Sequence, residues 1–301
     1  MSLSKRIEAA LKRQFLLTQT KSAPPRLMDA MRHAVFPGGA RIRPQLCLAV
    51  AKACGEDDHE LSDAAAAAIE LLHCASLVHD DMPCFDDADM RRGQVTVHKQ
   101  FGEPLALLTG DALIVMAYQV LARSGRQHPL RTVQLLSVIS DGVGAPDGIV
   151  AGQAWECETR VELSQYQRAK TGALFVAATC AGALAAGVDP QPWYKLGSTL
   201  GEAYQVADDI RDVMMQADQL GKPAGQDAHH GRPSAAADLG LLGALQYFNG
   251  LMQTAADSVP MCESREAMRK LVLMESERLV PPSACEQISR QSQASGSRVS
   301  A

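Results

Sequence analysis

Two acidic clusters interrupt apolar, alanine-rich stretches of this chain, and they constrain how those stretches can fold. The first cluster contains Asp80, Asp81, Asp86 and Asp87, and the second contains Asp208, Asp209 and Asp212. Ionised carboxylates are costly to bury unless they are paired or bind a metal ion. Mg²⁺ takes oxygen ligands, usually one or two carboxylates together with substrate phosphates. The pattern therefore predicts two facing clusters that hold a diphosphate between them through magnesium.

Composition and charge exclude several other classes of protein. Hydrophobic residues make up 47% of the 301 residues and charged residues 21%, which is ample for a packed interior. The net charge of −5 provides no basic field to attract nucleic acid or anionic lipid. We therefore expect no nucleic-acid partner, and any anionic substrate must be bound by local cations or metal.

The cysteine pattern and the N-terminus indicate an intracellular protein. The eight cysteines show no CxxC pairing, which is typical of reduced thiols and predicts neither disulfides nor zinc. The N-terminus lacks the apolar core and cleavage site of a signal peptide. No charge-free run approaches the roughly 20 residues of a membrane span. We expect a cytoplasmic protein without a transmembrane segment.

Helix-forming residues dominate nearly every long segment, and strand signals are nearly absent. Apolar periodicity and the Gly, Pro and Ser residues between segments predict helices at about residues 4–20, 26–34, 42–53, 104–123, 130–141, 147–160, 164–186, 192–219, 235–256 and 264–279. No linker or internal repeat divides the chain. The tail from about Pro281 is polar and is expected to be loose.

The first acidic cluster is predicted to follow a helix directly. Ser62-Asp63 can cap this helix, which runs to His79, and Pro83 must end it because proline lacks the backbone N–H. On a continuous helix, Asp80 and Asp86 would point away from each other. We expect the break at Pro83 to let the following loop bring Asp86 back towards Asp80.

The second cluster is predicted to lie on one helical face. Gly201, Gln205, Asp208 and Asp212 follow the spacing i, i+4, i+7 and i+11, and Asp209 lies beside them. Like charges so close raise one another's pKa, and a bound cation would offset this repulsion.

A single Asp-rich motif is weak evidence, because acidic pairs are common at solvated helix ends. Arg91 and Arg92 follow the first cluster and offer bidentate donors for phosphate oxygens. The alternative is a surface loop of mixed charge, which the second cluster makes less attractive.

Six motifs in order resemble those of the trans-isoprenyl diphosphate synthase family over about residues 30–240. They are Gly38-Gly-Ala-Arg-Ile-Arg-Pro44, His73 to Gly93, Gly152-Gln153, Lys170-Thr171-Gly172, Tyr204 to Asp212, and Leu220-Gly-Lys-Pro223. The resemblance implies one all-α domain over residues 1–280, with helices around a deep central cavity and usually a homodimer.

The resemblance also implies a set of ligands and residue roles. Asp80 and Asp86, with Asp81 nearby, would hold two Mg²⁺, and Asp208, supported by Asp209 and Asp212, would hold a third. The allylic diphosphate would be bound by Arg91, Lys170, Lys222 and Arg232. Isopentenyl diphosphate would be bound by Arg43, His73 and Arg92, while Lys170, Thr171 and Gln205 would act at the reacting carbon.

Several of these residues have structural alternatives, and three positions depart from the family pattern. His73 could be a core residue, Lys170-Thr171-Gly172 a turn or helix kink, and Gln205 a tie between helices. The departures are Ala40 where lysine is usual, Arg232 in place of a lysine, and Glu156 in place of an aspartate. Weaker binding of isopentenyl diphosphate is the expected consequence at Ala40.

The length of the product can be argued from the helix before Asp80. Ala75 lies five residues earlier, about 7.5 Å deeper along the axis, where family farnesyl synthases tend to carry an aromatic floor. Ala75 and Ser76 leave that floor open, so we expect a C20 product, geranylgeranyl diphosphate, and a shift towards C15 in Ala75→Tyr or Ala75→Phe. Carotenoid synthesis is a natural destination for such a product.

Three alternatives remain open. The chain could be a farnesyl or geranyl diphosphate synthase with its floor elsewhere, or a non-catalytic subunit that modulates a partner synthase. A class I terpene cyclase shares the first motif but not the second.

Overall fold

The computed structural model describes residues 2–160, 162–214, 235–288 and 290, and this part of the chain is almost entirely helical. The helices are α1 (Leu3–Thr18), α2 (Pro25–Val35), α3 (Ile42–Ala53), α4 (His59–Asp80), α5 (Val97–Phe101), α6 (Glu103–Ser124), α7 (Pro129–Val143), α8 (Ile149–Ala154), α9 (Leu163–Gln167), α10 (Ala173–Ala185), α11 (Gln191–Met214), α12 (Ala235–Asp257) and α13 (Arg265–Leu279). Among the described residues, strand is confined to the two-residue pair β1 (Met90–Arg91) and β2 (Gln94–Val95). The predicted all-α class is confirmed.

Helices α4 and α10 form the centre of the molecule. Helix α4 packs against α3, α6 and α10, while α10 also packs against α7 and α11. Small residues permit these close contacts: Ala64–Ala68 are at most 1% exposed. In α10, a Cβ on Gly182 would lie 2.3 Å from the carbonyl oxygen of Cys47 in α3, so only glycine fits. The core thus fixes the orientation of α4, which ends at the first acidic cluster, and of α10, which follows Lys170-Thr171-Gly172.

Helix α4 begins earlier than the sequence predicts. Asp58 is its N-cap: one carboxylate oxygen accepts hydrogen bonds from the backbone N–H of Glu60 (2.8 Å) and Leu61 (3.1 Å). The predicted cap Ser62-Asp63 lies inside the helix, where Asp63 pairs with Arg6 instead. The prediction was wrong because Asp58 offers the same capping chemistry one turn upstream.

Three predicted helices are interrupted within the described residues, and the one predicted over 235–256 is kinked at Gly240 (φ 69°, ψ 164°). The segment predicted over 164–186 consists of α9, a π-helical turn over Arg168–Gly172, and α10. The segment predicted over 147–160 is α8 followed by a 3₁₀ turn over Trp155–Cys157. Both irregular turns carry site residues, which accords with the frequent occurrence of π-bulges at functional sites.

Part of the tail expected to be loose is ordered. Residues 282–288 are helical, and Ile288 is 1% exposed against the core. The predicted end of the 192–219 helix lies outside the described residues beyond Met214.

In the part of the chain that the structure describes, two helices are long and apolar enough to cross a membrane by length and composition alone. They are α4 and the stretch Glu103–Gln127, whose apolar windows are 78% and 44% buried within the molecule. Core helices of soluble proteins pass the same test, so this observation is weak evidence for a membrane span.

Candidate active site

The chain reverses direction after α4 and brings two acidic side chains together. The backbone N–H of Asp86 donates to the carbonyl oxygen of Asp80 at 3.0 Å. Carboxylate oxygens of Asp80, Asp86 and Glu156 all lie within 4.8 Å of one another. The expected return of Asp86 towards Asp80 is therefore confirmed, because the helix stops at Asp80.

Glu156 is the residue that sequence reasoning did not assign to this cluster. It lies in the 3₁₀ turn after α8, where its carboxylate accepts hydrogen bonds from the Gln153 amide (3.0 Å) and the Tyr166 hydroxyl (2.7 Å). Its place in the segment Gly152-Gln153 to Glu156, where the family usually has an aspartate, was the available signal. The sequence alone marked Glu156 only as a departure from the family's usual aspartate.

Lys170 joins this cluster from the π-helical turn. Its Nζ lies 2.5 Å from a Glu156 oxygen and 3.3 Å from an Asp80 oxygen. Helix α8 approaches the turn so closely that a Cβ on Gly152 would lie 2.3 Å from the backbone nitrogen of Lys170. Gly152 therefore sets how near Lys170 lies to the carboxylates.

Buried Asp81 and half-buried Arg91 form an ion pair beside the cluster. Arg91 Nε donates to an Asp81 oxygen at 2.8 Å, and its Nη2 contacts the same oxygen. Burial raises the pKa of Asp81 to about 6, although the hydrogen bonds from Arg91 act in the opposite direction. Arg91 also lies 3.7 Å from Asp80. Asp81 therefore orients Arg91 at the edge of the cluster.

A second, cationic group lies deeper along α4. His73 Nε2 lies 3.5 Å from Nη1 of Arg43 and 3.4 Å from Nη2 of Arg92. Burial and the two guanidiniums lower the pKa of His73 well below its usual value, so the ring is neutral and Nε2 accepts. Arg43 is buried over the rings of Phe175 (4.5 Å) and Tyr204 (5.3 Å).

Within the described part of the chain, Arg43 and Arg92 differ from the other arginines of the site because they form no ion pair. Among the described residues, neither Arg43 nor Arg92 forms an ion pair with a carboxylate, and Arg43 Nε is buried without a hydrogen-bond partner. Buried cations are normally paired. The group of Arg43, His73 and Arg92 therefore has the properties of an anion-binding site.

The second acidic cluster is built differently from the first. Thr171 donates to Gln205 (2.9 Å), and Gln205 donates to one oxygen of Asp209 (3.0 Å). The other Asp209 oxygen accepts from the backbone N–H of Ala235 at 2.7 Å. Asp209 is buried, so it orients Gln205 and joins α11 to α12.

The remaining predicted residues of this region are only partly placed. Asp208 contacts Arg211 on the same helix face, and Asp212 follows one turn later in α11. Lys222 and Arg232 lie outside the described residues. A third magnesium site here stays a prediction.

The two residues predicted to control chain length lie on different sides of α4. Ala75 is 1% exposed and belongs to the core. Ser76 is half-buried and lies on the same face as His73 and Asp80, because positions three and four apart share a helix face. Neither side chain is large enough to close a cavity.

The first cluster fits a hard divalent cation. Asp80, Asp86 and Glu156 offer oxygen atoms only, and one carboxylate oxygen of each residue lies within 4.8 Å of the other two. Mg²⁺ prefers such donors and keeps further positions for water or phosphate oxygens. The ammonium group of Lys170 lies next to Asp80 and Glu156, so it would contact a phosphate that binds to the metal ion there.

Comparisons with known proteins agree with this geometry. The model of the polyprenyl synthetase family matches residues 24–245. The chain is 52% identical over 281 residues to the geranylgeranyl diphosphate synthase of Cereibacter sphaeroides, covering 93% of this chain and 98% of that protein. It is 47% identical over 286 residues to the enzyme of the same name from Rhodobacter capsulatus, covering 94% and 99%.

A solved structure shares the fold. The geranyltransferase of Helicobacter pylori, complexed with magnesium and isoprenyl diphosphate, superposes with a TM-score of 0.76 at 28% identity. The superposition covers 91% of this chain and 97% of that one.

Proposed function

Because the chain belongs to the polyprenyl synthetase family and is a prenyltransferase, we propose that it synthesises geranylgeranyl diphosphate. The reaction joins isopentenyl diphosphate to an allylic diphosphate and extends the chain by one C5 unit. The observation that carries this proposal is the separation of the two charged groups along α4. Asp80 lies seven residues, about 10 Å, from His73, so one site offers carboxylates for a metal–diphosphate and the other offers unpaired cations for a second diphosphate.

The acidic end of the site, formed by Asp80, Asp86 and Glu156, promotes ionisation of the allylic substrate. Asp80, Asp86 and Glu156 would hold Mg²⁺, which would supply Lewis-acid stabilisation of the departing diphosphate. Lys170 and Arg91 contact the same oxygens, so negative charge that develops as the C–O bond breaks meets fixed cations. Asp208, supported by Asp209 and Asp212, would hold a third ion, and Lys222 and Arg232 would bind the diphosphate.

The cationic end of the site, formed by Arg43, His73 and Arg92, positions isopentenyl diphosphate, whose double bond is the nucleophile. Arg43 and Arg92 bind the diphosphate of isopentenyl diphosphate, and neutral His73 fixes both guanidiniums by accepting from them. The double bond attacks the allylic carbon, a C–C bond forms, and one proton leaves to the released diphosphate. The oxygen atoms of Thr171 and Gln205 stabilise positive charge at the reacting carbon.

The setting of the reaction is also part of the proposal. Exposed apolar side chains on α6, at 49% for Leu107, 50% for Leu108 and 55% for Val115, support a homodimer that covers them. We place the enzyme in the cytoplasm, and carotenoid synthesis is a suitable use of a C20 diphosphate.

A pair of variants tests the acidic end. Asp86→Asn should lower kcat for magnesium-dependent condensation by about a hundredfold, because the cluster loses one carboxylate. Asp141→Asn, an exposed aspartate of α7, is the matched control and should retain the wild-type rate. Equal activity of both variants would contradict the assignment of Asp86.

A further inference from the structure

The glycine turn before α3 holds two guanidiniums that come from distant parts of the chain. Arg92 Nη1 donates to the carbonyl oxygen of Gly38 at 2.6 Å. Arg278 Nη2 donates to the carbonyl oxygen of Ala40 at 2.9 Å, across 238 residues of sequence. The two acceptors are two residues apart, so their Cα atoms are separated by at most about 7 Å. Arg278 and Arg92 therefore contact the same short turn of the chain.

Position 40 itself supplies no cation. Ala40 is exposed, and its side chain cannot contact a phosphate. The resemblance implies a lysine at this position, so the turn lacks one positive charge next to the isopentenyl diphosphate end. Arg278 brings a guanidinium to the same turn from the last turn of α13, which packs against α3.

Arg278 keeps donors available for a ligand. Its guanidinium has five N–H groups, and the contacts that the structure gives it are the Ala40 carbonyl and one Glu275 oxygen at 3.4 Å. The side chain is 45% exposed, so the guanidinium is accessible to a ligand from solvent. Glu275 offsets the positive charge of Arg278 only weakly, because the two groups are 3.4 Å apart and partly exposed to solvent.

We propose that Arg278 replaces the missing lysine at position 40 as a ligand for the diphosphate of isopentenyl diphosphate. This inference rests on the proposed function. A guanidinium suits the task because its planar fork can bind two phosphate oxygens at once. The substitution explains how the chain keeps a complete cationic site although Ala40 removes one contact.

Steady-state kinetics of the purified full chain test the proposal. Arg278→Ala should raise KM for isopentenyl diphosphate about tenfold, the usual effect of losing one charge-assisted hydrogen bond. KM for the allylic diphosphate and kcat at saturation should stay within about twofold. Arg269→Ala, which removes an arginine of the same helix that pairs with Asp257, is the control and should change neither KM.

Rescue separates a ligand from a structural support. Ala40→Lys in the Arg278→Ala background should restore most of the lost affinity, because it returns the cation to the turn without restoring the bond to Ala40. An unchanged KM in Arg278→Ala, or no rescue by Ala40→Lys, would overturn the proposal.

Calorimetric titration with isopentenyl diphosphate alone keeps this test independent of turnover. A wild-type chain that binds isopentenyl diphosphate but forms no product would refute the proposed function and still permit the comparison with Arg278→Ala. Equal affinities of the two proteins, or no binding to either, would refute the role of Arg278.

Discussion

Glu156 shows how a single residue completes a site that the motifs define only in part. Its carboxylate stands with Asp80 and Asp86 and also contacts Lys170. Glu156→Gln should raise the magnesium concentration needed for half-maximal activity about tenfold, because a neutral amide is a poorer ligand for a hard cation. A magnesium titration of activity measures this, with the exposed Glu158→Gln as the control. Identical titrations for Glu156→Gln and wild type would remove Glu156 from the metal site.

His73 makes the stability of the fold depend on pH. Its folded pKa lies well below the ordinary value of 6.5 because of burial and the neighbouring Arg43 and Arg92. The unfolded chain therefore binds the extra proton first: the stabilising contribution is complete above pH 6.5 and is lost as pH falls below it. The loss approaches at most about 1.4 kcal/mol per pH unit.

Urea unfolding at pH 7.5 and pH 5.5 would measure this contribution. The free energy of unfolding of wild type should fall more between these values than that of His73→Gln, which cannot gain the proton. Parallel losses in the two proteins would show that His73 titrates normally and is not held between the two arginines.

At the scale of elements, the approach of α8 to the π-helical turn determines where Lys170 lies. Gly152→Ala would place a Cβ 2.3 Å from the Lys170 backbone nitrogen, so the turn must shift. We expect kcat to fall at least about tenfold, since misplacement by about 1 Å can cost still more. Gly250→Ala in α12, where nothing lies within 4 Å of the added Cβ, should leave the rate unchanged. Equal kcat values would contradict this positioning role.

Helix α4 carries the prediction about product length. Ser76→Phe should shift the product from C20 towards C15, because Ser76 lies on the same face of α4 as Asp80 and the ring would lie below that aspartate. Ala75→Phe should give the same shift only by displacing packed neighbours, because Ala75 lies in the core on another side of the helix. Ala75→Phe should also lower Tm, since Ala75 is packed in the core and overpacking typically costs about 1–3 kcal/mol. Product chromatography and thermal unfolding measure the two effects. C20 from both variants would show that the floor lies on another helix.

The sequence predicted most of these elements because apolar periodicity and glycine or proline breaks are local signals. The interruption at Arg168–Gly172 was anticipated only as an alternative, a turn or helix kink at Lys170-Thr171-Gly172, because the residues themselves favour a continuous helix. The π turn packs against α8 and α11, and such contacts between distant segments leave no local signal in the sequence. The pair β1 and β2 was missed because two residues per strand give no alternation to detect.

At the scale of the whole molecule, the acidic group at Asp80 and the cationic group at His73 lie at different positions along helix α4. The family resemblance implied most residues of both groups, although they come from separate motifs along the chain. The sequence could not predict that Asp209 would bond to Ala235, or that Arg278 would reach Ala40, because these contacts depend on how distant helices pack. In the proposed mechanism, ionisation takes place at the Asp80 end and attack comes from the Arg43 end.

The most direct test of the account is the product formed by the purified chain. It would be incubated with isopentenyl diphosphate, Mg²⁺ and, separately, C5, C10 and C15 allylic diphosphates, with an EDTA control, followed by chromatography of the dephosphorylated products. The account predicts a metal-dependent C20 alcohol from each primer. A longest product of C15, or no product from any primer, would contradict it.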